Sequence, residues 1–140
     1  MLDINKQDMK YSRQGEKVTI YDRDENGEIK YIEMDGERIP VVLRETTGYS
    51  DPVLFSANIS NKLSEVLVKE FGIDDSSSYC QIVTDKGYLP IKAGDVIWKK
   101  SDVGRDSDGL VDDKTADYVV KGVADEGLTV DLFLLQKTVK

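Results

Sequence analysis

The chain has 140 residues, carries 27 acidic against 19 basic side chains for a net charge of −8, and contains no histidine. A domain of this length buries roughly 70% of the surface its unfolded chain exposes, so it needs neither disulfide nor metal to hold a core. The missing histidine excludes Ser-His and Cys-His dyads and histidine-bearing metal sites, and the acidic balance opposes wrapping a phosphate backbone.

Residues 17 to 43 read as a β-meander. "KVTIYDR" is rich in β-branched and aromatic residues, "DENG" supplies turn chemistry, and "EIKYIEM" follows with partial alternation. A second turn at Asp35-Gly36 leads into "ERIPVVLRE", where Pro40 favours an edge or a bulge. "TTGYSDP" is a loop by composition and "VLFSANIS" a further strand. The stretch from Asn61 to Asp75, "NKLSEVLVKEFGIDD", fits either a short amphipathic helix or an extended segment. "YCQIVTD" is then a strand around the single cysteine, Cys80, which reads as a small buried side chain. "KGYLPIKAGD" is a loop, "VIWKK" a strand with the sole tryptophan, and residues 101 to 115 a long polar loop. "ADYVVKGVA", "DEG" and "LTVDLFLLQKTV" close the chain as a hairpin. In its last strand Val130, Leu132 and Leu134 share one face, and Phe133 and Leu135 the other. Apolar residues on both faces suggest a strand buried within a barrel or between protein layers. The expected fold is mainly all-β: one domain over residues 1 to 140, a small antiparallel β-barrel with an N-terminal meander and one long segment or short helix. No apolar run approaches the ~20 residues of a membrane span and the N-terminus lacks a signal-peptide core, so an intracellular, membrane-free setting is expected.

Two acidic clusters raise the question of metal. "DRDENGEIKYIE" matches a calcium loop on paper, with Asp22, Asp24, Asn26 and Glu33 as ligands, but its flanks are poor helix material, and an EF-hand needs two helices to hold its ends. A hairpin tipped by Glu25-Asn26-Gly27 is the better reading. Asp106, Asp108 and Asp112 with Gly109 likewise read as a solvated connecting loop. Asp22 or Asp24 with Glu28 and Lys30 imitates the order of a metal nuclease, but all four belong to one hairpin tip without a helical scaffold. With no phosphate loop or dinucleotide fingerprint either, neither enzyme nor cofactor is expected.

The segment "GYLPIKAGDVIWKKSD", continued by "ADYVVKGVADEGLTVDLFLLQK", resembles the C-terminal half of small structural proteins from the head–tail modules of tailed bacteriophages. The shared pattern is an acidic turn, a Pro-containing lead-in, "GD" before a strand with an aromatic (Asp95, Val96, Ile97, Trp98), a variable loop, then "ADYVVKGV", "EGL" and a last strand ending in basic residues. Upstream, "YSRQGEKVTIYDRDENGEI" resembles the family's opening meander and "GYSDPVLFSANIS" its entering strand. The resemblance implies a non-enzymatic connector of the head-closure or stopper type: a ring of self-associated subunits in the virion neck, assembled in the host cytoplasm. It would sit between a portal or adaptor ring and a tail terminator or tail tube, obstructing packaged DNA. A tail-terminator role is the neighbouring implication, and a calcium-binding module the rival of another class. The resemblance also implies that residues 61 to 75 form the channel gate, through Lys62, Leu63, Glu65, Val66, Leu67, Lys69, Glu70 and Phe71. Docking is expected from the exposed loop with Tyr49, Ser50 and Asp51, from the polar arm with Asp106, Asp108 and Asp112, and from residues 1 to 15.

Overall fold

The computed structural model describes residues 6–73 and 76–139. Six antiparallel strands close a barrel: β1 (Gln7–Ser12), β6 (Val53–Ser60), β7 (Tyr79–Asp85), β12 (Val130–Lys137), β11 (Tyr118–Ala124) and β8 (Val96–Trp98), the last pairing back onto β1. Strand alternation fills the inside. Met9 and Tyr11, Phe55 and Ala57, Cys80 and Ile82, and Phe133 and Leu135 enter from alternate positions of their strands, and Ile97 and Val120, with Leu89 and Ile91 from the segment before β8, complete the core. The Tyr11 and Phe55 rings meet at 5.6 Å between centroids in a tilted pair. Closure leaves the barrel without an open edge.

Strand β1 is a correction to the sequence reading. Residues 1–5 of the expected N-terminal docking segment lie outside the described residues, but Gln7–Ser12 is a barrel stave with Met9 2% exposed. Its apolar residues are only two, between charged neighbours, so its alternation is too brief to register as a strand.

Two layers cover the outside, which is why β12 and β8 are apolar on both faces. On one side lies the single helix, α1 (Glu65–Phe71), so the helical alternative holds for the stretch from Asn61. Its Asp74 and Asp75 lie outside the described residues. Ser64 caps the helix by accepting from the Leu67 N–H at 3.4 Å, and Gly72 ends it in the left-handed conformation. The Ser64 N–H in turn donates to Gln81 Oε1 at 2.6 Å, tying the cap to β7. Leu67 is fully buried and Phe71 lies over β11 at Gly122, where a Cβ would come within 2.2 Å of the ring. Gly122 pairs with Leu134, which is 1% exposed. The outward row of the last strand therefore ends beneath the helix.

On the other side residues 99–117 form a strap rather than the free polar loop expected. It contains the short hairpin β9 (Gly104–Arg105) and β10 (Val111–Asp112), then a 3-10 turn at Asp113–Thr115. Val111 and Ala116 bury Val96 and Trp98 against the outer wall, helped by Val103, Val119 and Tyr49. The Thr115 hydroxyl holds this layer: it accepts from Trp98 Nε1 and from the Gly104 N–H, each at 3.0 Å, and donates to the Asp112 carbonyl at 2.7 Å. Acidic side chains on its solvent face hide the apolar underside from any composition-based reading.

Candidate functional site: a forked arm clasped by the strap

Residues 13–50 leave the barrel between β1 and β6 as a long arm. Its stem pairs β2 (Glu16–Tyr21) with β5 (Val42–Gly48). The pairing register of the barrel runs on into the stem: Tyr11 faces Val53, and five residues further along one strand and five back along the other, Glu16 faces Gly48. Strand β5 thus includes Thr46–Gly48, so the expected "TTGYSDP" loop begins only at Tyr49. The corner between barrel and stem is pinned. The Ser50 N–H donates to the Arg13 carbonyl and the Arg13 N–H to Ser50 Oγ, both at 2.9 Å, while the Ser12 hydroxyl donates to the Ser50 carbonyl at 2.5 Å. Across the corner the Gln14 N–H donates to Asp95 Oδ1 at 2.9 Å.

Beyond Tyr21 the arm forks. Backbone bonds from Asp22 to Val41, Lys30 to Asp22 and Val41 to Lys30, at 2.8 to 2.9 Å, join three strands at one point. One prong is the hairpin of residues 22–30. The other is the ribbon of β3 (Tyr31–Met34) and β4 (Glu37–Pro40) around the tight Asp35-Gly36 turn.

The first prong and the strap hairpin end in the same turn, built from "RDENG" and from "RDSDG". Asp24 Oδ1 accepts from the N–H groups of Asn26 and Glu28 at 2.9 and 3.0 Å, and Asp106 Oδ1 from those of Asp108 and Leu110 at the same distances. Arg23 donates to the Gly27 carbonyl at 2.8 Å, and Arg105 to that of Gly109 at 2.9 Å. Gly27 and Gly109 supply the left-handed residue that closes each turn, at φ 82° and 81°. The repetition is legible as a five-residue string, but reading the two as separate acidic clusters hides it.

The two turns meet. Arg23 Nη2 lies 2.4 Å from where a Cβ on Gly109 would stand, and Arg105 reaches Asp51 at the arm's base, 3.2 Å away. Between stem and strap runs a groove of about 460 Å³ lined by Lys17, Thr19, Tyr21, Arg23, Arg105 and Asp108 among others, and Arg23 Nε is buried there without a hydrogen-bond partner. Beneath it Tyr49 is half-buried, and burial, then the Asp113 and Asp95 carboxylates, push its phenol above the ordinary value.

The calcium-loop residues do not converge. Asp24 is occupied by backbone N–H groups, Asp22 pairs with Lys30 at 3.7 Å, and Glu33 sits on the other prong opposite Arg38. Among the described residues no group of three or more acidic or cysteine side chains is placed to hold a metal ion. The nuclease-like set, Asp22, Asp24, Glu28 and Lys30, falls on one prong as a hairpin does.

The docking residues are divided. Asp51 is exposed, Ser50 is spent on the corner, and Tyr49 supports the strap. Asp106 is consumed by its turn, Asp112 accepts from the Lys114 N–H at 3.0 Å, and Asp108 lines the groove. Of the gate residues, Leu67 and Phe71 hold the helix to the barrel and Leu63 is half-buried, while Lys62, Glu65, Val66, Lys69 and Glu70 are exposed.

Sequence reasoning placed the Asp35-Gly36 turn and the strands on either side of it, but missed that the ribbon they form is left uncovered. Every residue of β3 is exposed and β4 is exposed up to Pro40. Ile32 and Ile39 are cross-strand partners on one face, next to Met34, and are 50%, 38% and 55% exposed. On the other face the Arg38 guanidinium stacks over Tyr31 at 4.4 Å. With Val42 and Leu43, six of the thirteen exposed large apolar side chains among the described residues fall within residues 31–43. Of these, Ile32, Met34 and Ile39 form one uncovered apolar patch on the ribbon.

No protein-family model, curated protein or solved structure matches the chain. No helix among the described residues is long and apolar enough to cross a membrane.

Proposed function

We propose that the chain is a non-enzymatic assembly protein: a connector subunit of a tailed-phage neck that forms a ring between head and tail and closes the DNA channel. The observation that carries this reading is the free prong. A two-stranded ribbon has marginal stability alone in water, and one that exposes Ile32, Met34 and Ile39 is completed by burial against another chain. The rigid barrel, the pinned corner and the strap all serve to hold that prong out. In this role the portal or adaptor lies on one side, the tail terminator or tail tube on the other, and the exposed flank of α1, with Lys62, Glu65, Val66, Lys69 and Glu70, faces the channel. Leu67 and Phe71 anchor it there.

The test is incubation of the purified protein with DNA-filled, tailless heads of the phage that encodes it, with DNA leakage followed afterwards. Binding that stops leakage, and loss of that effect on replacing residues 61–75 by a short Gly-Ser linker, is the expected result. Binding to tails alone moves the assignment to a tail terminator. Binding to neither removes the connector reading.

A further inference from the structure

The twin turns differ in one respect. In each, one donor fixes the arginine: Arg23 Nη1 on the Gly27 carbonyl at 2.8 Å, and Arg105 Nη1 on the Gly109 carbonyl at 2.9 Å. The rest of the Arg105 fork meets a carboxylate, with Nη2 reaching Asp51 Oδ1 at 3.2 Å. The rest of the Arg23 fork meets none among the described residues. Its Nε is buried without an acceptor, and its Nη2 lies against Gly109, where the absence of a side chain gives it room. Nε and Nη2 form an edge of the guanidinium that takes a carboxylate through two parallel hydrogen bonds. A buried donor left open is unfavourable, so an acceptor that fills it is gained at little cost. Arg105 thus shows the partner that Arg23 lacks.

The other charges of the groove are accounted for. Of its acids, Glu16 is paired with Arg13 at 2.5 Å and Asp51 with Arg105. Asp108 has no ion pair among the described residues, and neither has Lys17, so these two offset each other in sum. Arg23 is left as the charge without a counterpart. From it the groove runs along β2, where Tyr21 and Thr19 follow on the same face at intervals of about 7 Å. Neither hydroxyl makes a hydrogen bond to the described residues. At about 460 Å³ the space has the size of a small-molecule site.

We propose that the groove between stem and strap binds a small hydroxylated organic acid, with its carboxylate on the Nε and Nη2 edge of Arg23 and its hydroxyls beside Tyr21 and Thr19. The carboxylate meets Nη2 first, and a small shift of the strap tip at Gly109 uncovers Nε behind it. The site stands apart from the connector reading, since it requires neither a ring nor a phage head.

The test follows the arginine Nε–Hε signals and backbone amides of the ¹⁵N-labelled full chain by NMR. Gluconate, acetate or inorganic phosphate is added at constant ionic strength, and Arg23→Lys identifies the Arg23 signal. Gluconate is expected to move that signal and the Gly109 and Leu110 amides to saturation, about tenfold more tightly than acetate. Tyr21→Phe should weaken gluconate several-fold and leave acetate as it was. Arg23→Lys, with its barrel amides unchanged, should bind neither, because lysine keeps the charge and loses the fork. A linear drift without saturation overturns the proposal, as does phosphate binding as tightly as gluconate, or gluconate binding that survives Arg23→Lys. So does an Arg23 signal that moves on Asp108→Asn in the ligand-free protein, since Asp108 then already holds the edge.

Discussion

The Asp117 carboxylate accepts from the backbone N–H groups of Lys99, Lys100 and Ser101 at 2.8, 2.9 and 3.0 Å, and from the Ser101 hydroxyl at 2.7 Å. Burial alone pushes its pKa up. The bonds from Ser101, Lys99 and Lys100 outweigh that and hold it well below the usual carboxylate range. A depressed folded-state pKa contributes stability that is complete above the unfolded value of about 4 and is lost as pH falls below it. Asp117→Asn should therefore lose on the order of 2 kcal/mol in urea unfolding at pH 7, and its deficit against the native protein should shrink below about pH 4. A constant deficit down to pH 3 would contradict the assignment. Cys80 gives the opposite case. Burial pushes its thiol up to about 11, with Lys137 and Lys99 pulling weakly the other way, so it stays neutral near pH 8. Maleimide labelling followed by mass spectrometry should leave Cys80 unmodified in the folded protein and modify it fully after unfolding.

At the level of elements, the contact between α1 and β11 is set by one missing methyl group. Gly122→Ala places a Cβ 2.2 Å from the Phe71 ring, and overpacking of this kind costs roughly 1–3 kcal/mol. The helix should loosen before the barrel does, seen as faster amide exchange across residues 65–72 with the barrel strands unchanged. Combining Gly122→Ala with Phe71→Leu should recover part of the protection. The barrel strands β6, β7, β11 and β12 were legible because each is a run of seven or eight residues dense in apolar and β-branched side chains and bounded by turn or loop residues. Strand β1 was not, since barrel closure selects it through partners distant in sequence, Phe55 and Ile97 among them. The helix was ambiguous because seven residues give less than two full turns of pattern. The strap was read as solvated because its buried residues, Val111 and Ala116, and half-buried Val103 are spaced among aspartates and glycines.

For the whole molecule, the barrel and the free prong should be separable. Lys30 and Val41 are already joined by a backbone bond of 2.9 Å, so residues 31–40 can be replaced by a short glycine turn without stretching the chain. The thermal midpoint should move by less than about 3 °C, because the prong covers none of the core, while association with heads or with other copies is lost. A large fall in the midpoint would mean that the prong supports the fold. The fold class was written in the sequence because turn chemistry and alternation are local. The outward-facing site was not. Ile32, Met34 and Ile39 read as strand interior, and only a three-dimensional arrangement tells which apolar residues have been left without a neighbour.

The unbroken register between barrel and stem has a mechanical consequence. An unpinned loop at the base would act as a hinge and dissipate any displacement of the prong. Here the chain leaves strand conformation at residues 13–15 and 49–52 but keeps one pairing register across the gap, and the corner is held by four hydrogen bonds around Ser50 and Asp95. The arm is therefore a lever whose short end is the β1–β6 pair, carrying Met9, Tyr11 and Phe55. A load applied at the tip is delivered as torque to the centre of the barrel.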